Sequence, residues 1–427
     1  MTDALALRDA AVVWHPFTQH ATSGPPLGVL RGEGAWLTLD DGRRVLDAVS
    51  SWWVNLHGHG HPNIVEAIRA QAATLEHVIF AGFTHAPAVR LAERLVGLAR
   101  RAGSPSTRAF YSDNGSTAVE VALKMAFQAA IQRGGTRCDR FLAVRGAYHG
   151  DTLGAMAVGE PEGFHPLFRT LLPKVDFVPT EDLDALDRLL AEHPGRHAAM
   201  IVEPMVQGAS GMRFHSAAWL RGVFERCRAA GVTFIADEVF TGFGRTGPTF
   251  AFEHAGIAPD LICLSKGLTG GFLPLAVTLA SDAIFEAFLY PDIERAFLHG
   301  HSYTANPVAC AAALASLDLY EAPACVARRA EIARETAAHI HALDGQPGFR
   351  NARALGTLGA VELNVPATYG GADSVAIRAA ALDLGVLLRP LGATLYALPP
   401  YCVSTDELAA IYAALTTLGR RGSRTSP

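Results

Sequence analysis

Through the middle of the chain, short apolar runs rich in β-branched residues alternate with longer segments whose apolar residues return every three or four positions. That alternation points to a parallel sheet with helices on both faces, because parallel neighbours need a crossover and the helix in each crossover covers a face. The strands it predicts are Phe141 to Val144, Ala199 to Val202, Thr233 to Ala236, Leu261 to Leu264 and Ala276 to Leu279. Helices fall between them. One is Ser116 to Ile131, with Val119, Leu123, Ala126, Phe127, Ala130 and Ile131 on one face; another is Ala217 to Ala230, stopped by Gly231. From about Pro323 the pattern changes to a long helix, a strand around Leu358 to Leu363, a helix from Asp373, the segment VLLRPLGATLYALPPY and a last helix. The fold class read from this is α/β. A large domain over 59–322 carries a mostly parallel central sheet, a smaller α+β domain spans 323–427, and an N-terminal segment over 1–58 joins the small domain and the site.

Charge and cysteine usage narrow the function. Lys and Arg number 36 against 41 for Asp and Glu, a net charge of -5, so neither a basic surplus for nucleic acid nor an acidic tail is present. The six cysteines are scattered without a C-x-x-C pair, as expected of reduced core thiols. The first residues, MTDALALRDAAVVWHP, lack a basic start followed by a long apolar run, and no uncharged stretch reaches membrane-spanning length. A cytoplasmic enzyme acting on small molecules, with no membrane or nucleic-acid partner, is the expectation.

In open sheets of this kind ligands gather beyond the carboxyl ends of the strands, so the residues just past each strand are candidates. They are Tyr148 and His149 in RGAYHGDT, Glu203 in VEPMVQG, Asp237 and Glu238 in IADEVFTGFGRTG, and Lys266 in LICLSKGL. An ionised Asp237 at the end of a run buried on both faces is costly unless something positive meets it. Lys266 ends another such strand, where apolar walls disfavour its charged form and leave an amine able to condense with a carbonyl. In SDNGSTAVEV, Asn114, Gly115 and Ser116 lead straight into a helix, whose free N–H groups and positive dipole end suit an anion.

Singly, each of these has a plain structural reading: a solvated lysine, a turn or cap aspartate, an N-cap. One cofactor, pyridoxal 5'-phosphate, uses all three together. It needs a lysine for its aldehyde, a carboxylate to keep its pyridine nitrogen protonated and a seat for its phosphate. The positive charge facing Asp237 is then expected to be the cofactor ring and not a protein side chain, while Glu238 is expected to turn to other polar groups. TGFGRTG has no helical pattern after it and reads as a turn, not a dinucleotide fingerprint. His57, His59 and His61 alternate in WWVNLHGHGHP, but the intervening glycines and Pro62 favour a loop over a row of metal ligands, and no metal is expected. Trp52 and Trp53 read either as core filler or as the wall of a pocket.

These motifs resemble the class III pyridoxal-phosphate aminotransferases over nearly the whole chain. WHPFTQ, SWWVNLHGHGHP, RGAYHGDT, EPMVQGASGM, DEVFTGFGRTG, LSKGLTGG, HGHSYTANPVAC and RPLGATLYALPPY stand in the family's order, and several match the branch of it that serves biotin biosynthesis. The resemblance implies the type I aminotransferase fold, working as a homodimer with active sites shared between subunits. It implies 8-amino-7-oxononanoate as acceptor and S-adenosylmethionine as donor. Carried over position by position, it makes Lys266 the lysine that bonds the cofactor and shuttles the proton, Asp237 the partner of the pyridine nitrogen, and Tyr148 the ring that stacks on it. Asn114, Gly115 and Ser116 would hold the phosphate, joined by Ser302 from the other subunit where the family typically has threonine. Trp52, Trp53 and Tyr396 would line the substrate pocket, with Arg389 binding the acceptor's carboxylate. One departure stands out: Phe17 takes a position where some members carry tyrosine, so a phenolic hydroxyl near the substrate amine is missing. Another class III ω-aminotransferase, an aminomutase on the same cofactor, and a cofactor-binding protein without transfer activity are the competing readings. The SWW and RPLG motifs favour the first branch, and the lysine–aspartate pair speaks against an inactive binder.

Overall fold

The computed structural model describes residues 3–134, 138–160, 166–365 and 370–422. Its centre is a seven-stranded sheet in the order Ser106–Ser112, Ala276–Ser281, Leu261–Leu264, Thr233–Asp237, His197–Val202, Arg140–Val144, Lys174–Val178. Six of the strands run in one direction. Ala276–Ser281 is antiparallel to both its neighbours, which corrects the expectation that it belongs to the parallel set. The reversal has a chemical consequence: this strand begins at the edge where the others end, since Ala276 pairs with Ser112.

Alternation along the buried strands sorts their side chains into two layers. Ala199, Ile201, Ile235, Leu261 and Cys263 pack on one side with the helix Gly115–Gln132. Met200, Val202, Phe234, Ala236, Ile262 and Leu264 point to the other side, where Trp219, Leu220 and Val223 of the helix Ala217–Ala229 cover them. Each large apolar side chain so buried contributes on the order of 1.5–3 kcal/mol. The predicted face of the first helix is partly wrong. Val119, Leu123 and Ala126 are buried, but Phe127 and Ile131 are 38% and 37% exposed, and the stripe that meets the sheet is Ala118, Ala122, Ala126 and Ala129 with Val119, Val121 and Met125. Small residues let this helix ride close to the strands.

Three further strands, Val29–Glu33, Trp36–Leu39 and Arg44–Asp47, form a sheet that a segment from the far end of the chain, Val386–Leu387, completes by pairing in parallel with Arg44–Asp47. A third sheet joins Phe349–Leu355, Leu358–Leu363 and Thr394–Ala397, flanked by the helices Pro323–His341 and Thr405–Gly422. Residues early and late in the sequence are thereby tied together beside the central sheet. Among the described residues no single helix is long and apolar enough to cross a membrane, and all six cysteines are free.

Candidate active site

Five strand ends converge on a cavity of about 530 Å³. Ser112 gives way to Asn114, Gly115 and Ser116; Val144 to Tyr148 and His149; Val202 to Glu203; the strand Thr233–Asp237 closes on Asp237 itself; and Leu264 leads to Lys266. The antiparallel strand adds Leu273, Pro274 and Leu275 just before it starts, and the remaining wall includes Phe17, Trp52, Trp53, Phe240, Arg389 and Tyr396. Of the residues given a cofactor or substrate role from the sequence, all but Ser302 line this one space; Glu238 and the three histidines of the 57–61 loop do not. Ser302 sits exposed in a turn outside it.

Lys266 opens a single 3₁₀ turn, Lys266–Thr269, with φ +44°, a backbone conformation uncommon for a side chain this long and typical of positions held by their surroundings. Its Nζ lies 4.7 Å from the centre of the Trp53 ring and 5.7 Å from that of Phe240. Desolvation by these walls pushes the amine from its ordinary 10.5 down to about 8, with the charges of Asp237 and Glu203 pulling the other way. Close to neutral pH the site therefore holds an amine that gives up its proton readily.

Asp237 is buried and bonded through both oxygens. Val239 N–H donates to Oδ1 at 3.0 Å, and His149 Nδ1 lies 2.6 Å from Oδ2. A protein side chain thus does bond this carboxylate, a partner that the sequence reading did not foresee. Among the described residues Nε2 of His149 is buried with no hydrogen-bond partner, so the side-chain hydrogen bond that orients the imidazole is the one to Asp237. Glu203 accepts the backbone N–H groups of Tyr148 at 3.0 Å and Gly208 at 2.9 Å; burial raises its carboxyl to about 7, against His149 and these bonds. Sequence reading placed His149 and Glu203 at strand ends but gave them no partners, and it missed Phe240 altogether, although the position lies only three residues beyond Asp237.

At the start of the helix Gly115–Gln132, Asn114 is the N-cap: its side chain accepts from Thr117 N–H at 3.1 Å while the Thr117 hydroxyl accepts from Asn114 N–H. With Thr117 N–H taken by the cap, the first-turn N–H groups left to face an anion are those of Gly115 and Ser116. A Cβ on Gly115 would stand 2.7 Å from Cγ1 of Val239, so only glycine lets this turn approach the strand end that carries Asp237. Tyr148 Oη donates to Asp151 at 3.0 Å, and Asp151 N–H donates to Ser116 Oγ at 3.1 Å, tying the Tyr148 loop to the helix start.

On the opposite wall the Arg389 guanidinium lies 4.4 Å from the Trp52 ring centre, with Phe17 edge-on to the same ring at 5.6 Å. Trp53 donates its indole N–H to Tyr396 Oη at 3.0 Å. Both sequence readings of the tryptophan pair hold in part: Trp53 is core and pocket wall at once, and Trp52 is wall only. His57, His59 and His61 lie in a loop, bonded to Ser316, Asp47 and the start of the helix Pro62–Ala72 respectively.

The family model for class-III aminotransferases matches residues 18–418. The chain belongs to the class-III aminotransferase family. A relative from Synechococcus elongatus named adenosylmethionine-8-amino-7-oxononanoate aminotransferase is 49% identical, over 95% of this chain and 98% of its own. Another of that name, from Mycobacterium leprae, is 41% identical over 95% and 94%. Among solved structures, adenosylmethionine-8-amino-7-oxononanoate aminotransferase from Methanocaldococcus jannaschii superposes with a TM-score of 0.92 at 35% identity, covering 97% of this chain and 99% of its own. An amine transaminase from an uncultivated Pseudomonas species, solved in its PLP-bound form, superposes with a TM-score of 0.90 at 32% identity, covering 96% and 98%.

The fold of this class-III aminotransferase is accordingly the type I fold of pyridoxal-phosphate transaminases. The family's cofactor is pyridoxal phosphate, and the donor set fits it: an amine poised near neutrality, a buried carboxylate, and a glycine-lined helix start that a Cβ would close.

Proposed function

We propose that this aminotransferase converts 8-amino-7-oxononanoate to 7,8-diaminononanoate, with S-adenosylmethionine as amino donor, in the cytoplasm and as a homodimer. The observation that carries the reading is the pairing of two cations with two adjacent rings: the Lys266 amine over Trp53 and the Arg389 guanidinium over Trp52. A substrate with a reacting carbon at one end and a carboxylate at the other, joined by an apolar chain, matches an amine, an aromatic wall and a guanidinium. The names of the relatives from S. elongatus and M. jannaschii support the same acceptor and donor.

Pyridoxal phosphate, when bound, supplies an aldehyde that takes up amines and a ring that accepts the electron pair of a broken C–H bond. Lys266 Nζ, whose proton is held less tightly than an ordinary lysine's, would bond that aldehyde and would serve to take the proton from the donor carbon and return it. Asp237, fixed by Val239 N–H and His149, would face the pyridine nitrogen with its negative charge. The helix start at Gly115 and Ser116 would hold the phosphate, and Tyr148 would wall the ring. Arg389 holds the acceptor's carboxylate, while Trp52, Trp53, Phe17 and Tyr396 exclude water around its chain. Exposed Leu298 and Tyr303, which flank Ser302, support a second copy packing there and bringing its Ser302 to the phosphate. The two half-reactions share one pocket, so the kinetics should be ping-pong.

The test is a half-reaction assay. Holoenzyme is mixed separately with S-adenosylmethionine, lysine and simple ω-amines, and the cofactor's visible absorbance is followed; the aminated enzyme is then offered 8-amino-7-oxononanoate. Loss of absorbance with S-adenosylmethionine and its recovery with the keto acid are expected. Bleaching by lysine alone would replace the donor, and no recovery with the keto acid would overturn the acceptor.

A further inference from the structure

Trp52 and Trp53 sit on a turn whose backbone is held far from its ordinary conformations. Ser50, Ser51 and Trp53 have φ values of +51°, +59° and +66°, and none is glycine. Ser51 combines its φ with a ψ of −84°, close to the rare γ-turn that unrestrained chains avoid. Three such residues within four persist only where the surroundings over-determine them.

The restraint is Asp47. Its side chain has no exposed surface. It accepts the N–H of Ser51 on both oxygens, at 2.8 and 2.7 Å, and the Ser51 hydroxyl at 3.0 Å. Val49 N–H donates at 3.3 Å, and Nε2 of His59 lies 2.9 Å from Oδ2. Ser50 Oγ anchors the other side of the turn on the carbonyl of Leu398 at 2.7 Å. A carboxylate suits this place because it is acceptor only, and every neighbour turned towards it brings a hydrogen. Asp47 does not itself line the cavity.

We propose that Asp47 is a positioning residue for the substrate pocket: its buried carboxylate clamps the 50–53 turn and so sets Trp52 against Arg389 and Trp53 against Lys266. The inference rests on the function proposed above. It predicts that loosening the clamp damages recognition of the carboxylate-bearing acceptor before it damages the chemistry at Lys266.

The test is Asp47→Asn in the holoenzyme, which keeps the shape but turns an amide donor towards donors. Cofactor absorbance should be unchanged. Amide hydrogen exchange at 51–54 should quicken at least about tenfold, and KM for the acceptor should rise about tenfold while kcat changes less than about threefold. Glycine adopts the required φ without help. Adding Ser51→Gly to Asp47→Asn should therefore bring KM back to within about threefold of wild type. Wild-type exchange and KM in Asp47→Asn, or a double variant no better than the single one, overturns the proposal. Should Asp47→Asn fail to fold, the double variant decides: recovered folding supports the clamp, and failure of both refutes it. Failure of the functional reading would show separately, as wild-type enzyme inert towards the acceptor, and the exchange and rescue measurements stand without any substrate.

Discussion

Replacing Lys266 by Met in the cofactor-free protein should stabilise it, by an amount that depends on pH. Burial lowers the amine from 10.5 to about 8 in the fold, whereas the unfolded chain returns it to its ordinary value. The protonated form is thus held less well by the folded state. Its cost is absent well above pH 10.5, grows as pH falls through that value and is complete below pH 8. At ~1.36 kcal/mol per pH unit this amounts to about 3 kcal/mol at pH 7, an upper bound because the side chain is only partly shielded from solvent. At pH 9.5 the same linkage leaves about 1.4 kcal/mol. Met keeps the reach of the side chain and removes its charge, and any packing difference is the same at both pH values. Denaturant unfolding of the two proteins should therefore show a larger gain at pH 7 than at pH 9.5, by about 1–2 kcal/mol. An equal gain at both values, or none at either, refutes the claim that desolvation sets the amine's poise.

Two further substitutions separate the ends of the pocket. Arg389→Ala should raise KM for the keto acid roughly thirtyfold, about 2 kcal/mol for a lost charge-assisted pair, with a smaller effect on the donor; equal effects on both substrates in steady-state assays would count against the assignment. Gly115→Ala forces a methyl to 2.7 Å from Val239 Cγ1, and Val239 N–H holds Asp237. Cofactor affinity should fall about tenfold or more in a spectroscopic titration, and an unchanged affinity would show that the helix start does not seat the phosphate.

How much of this was legible in the sequence follows from burial. His197–Val202, Thr233–Asp237 and Leu261–Leu264 are buried at every residue, so each reads as a mostly apolar run that ends on or shortly before a polar residue. That is why Lys266 and Asp237 could be named before any coordinates. The edge strand Lys174–Val178 carries Lys174 and Asp176, and Ser106–Ser112 carries Arg108, so neither looks like a strand beside those runs. Phe127 and Ile131 misled because size and periodicity drew attention, while the sheet was met by alanines. The bond between His149 and Asp237 spans 88 residues, and Asp47 reaches the pocket only through a turn whose torsions no pattern of residue types announces.

The adjacent acids Asp237 and Glu238 follow from strand geometry. Consecutive side chains on a strand leave opposite faces, so one carboxylate turns to the cavity while the next is driven into the protein. Glu238 has no exposed surface, and burial raises it to about 7. It accepts the Thr241 hydroxyl at 2.6 Å and Phe252 N–H at 2.9 Å, while its own carbonyl accepts Gly242 N–H at 2.9 Å. It therefore pins the turn that follows the strand, and that turn carries Phe240 back over Lys266. Asp237 lines the cavity directly, while Glu238 stands behind it and holds the turn that brings Phe240, part of the apolar wall, to 5.7 Å from Lys266 Nζ.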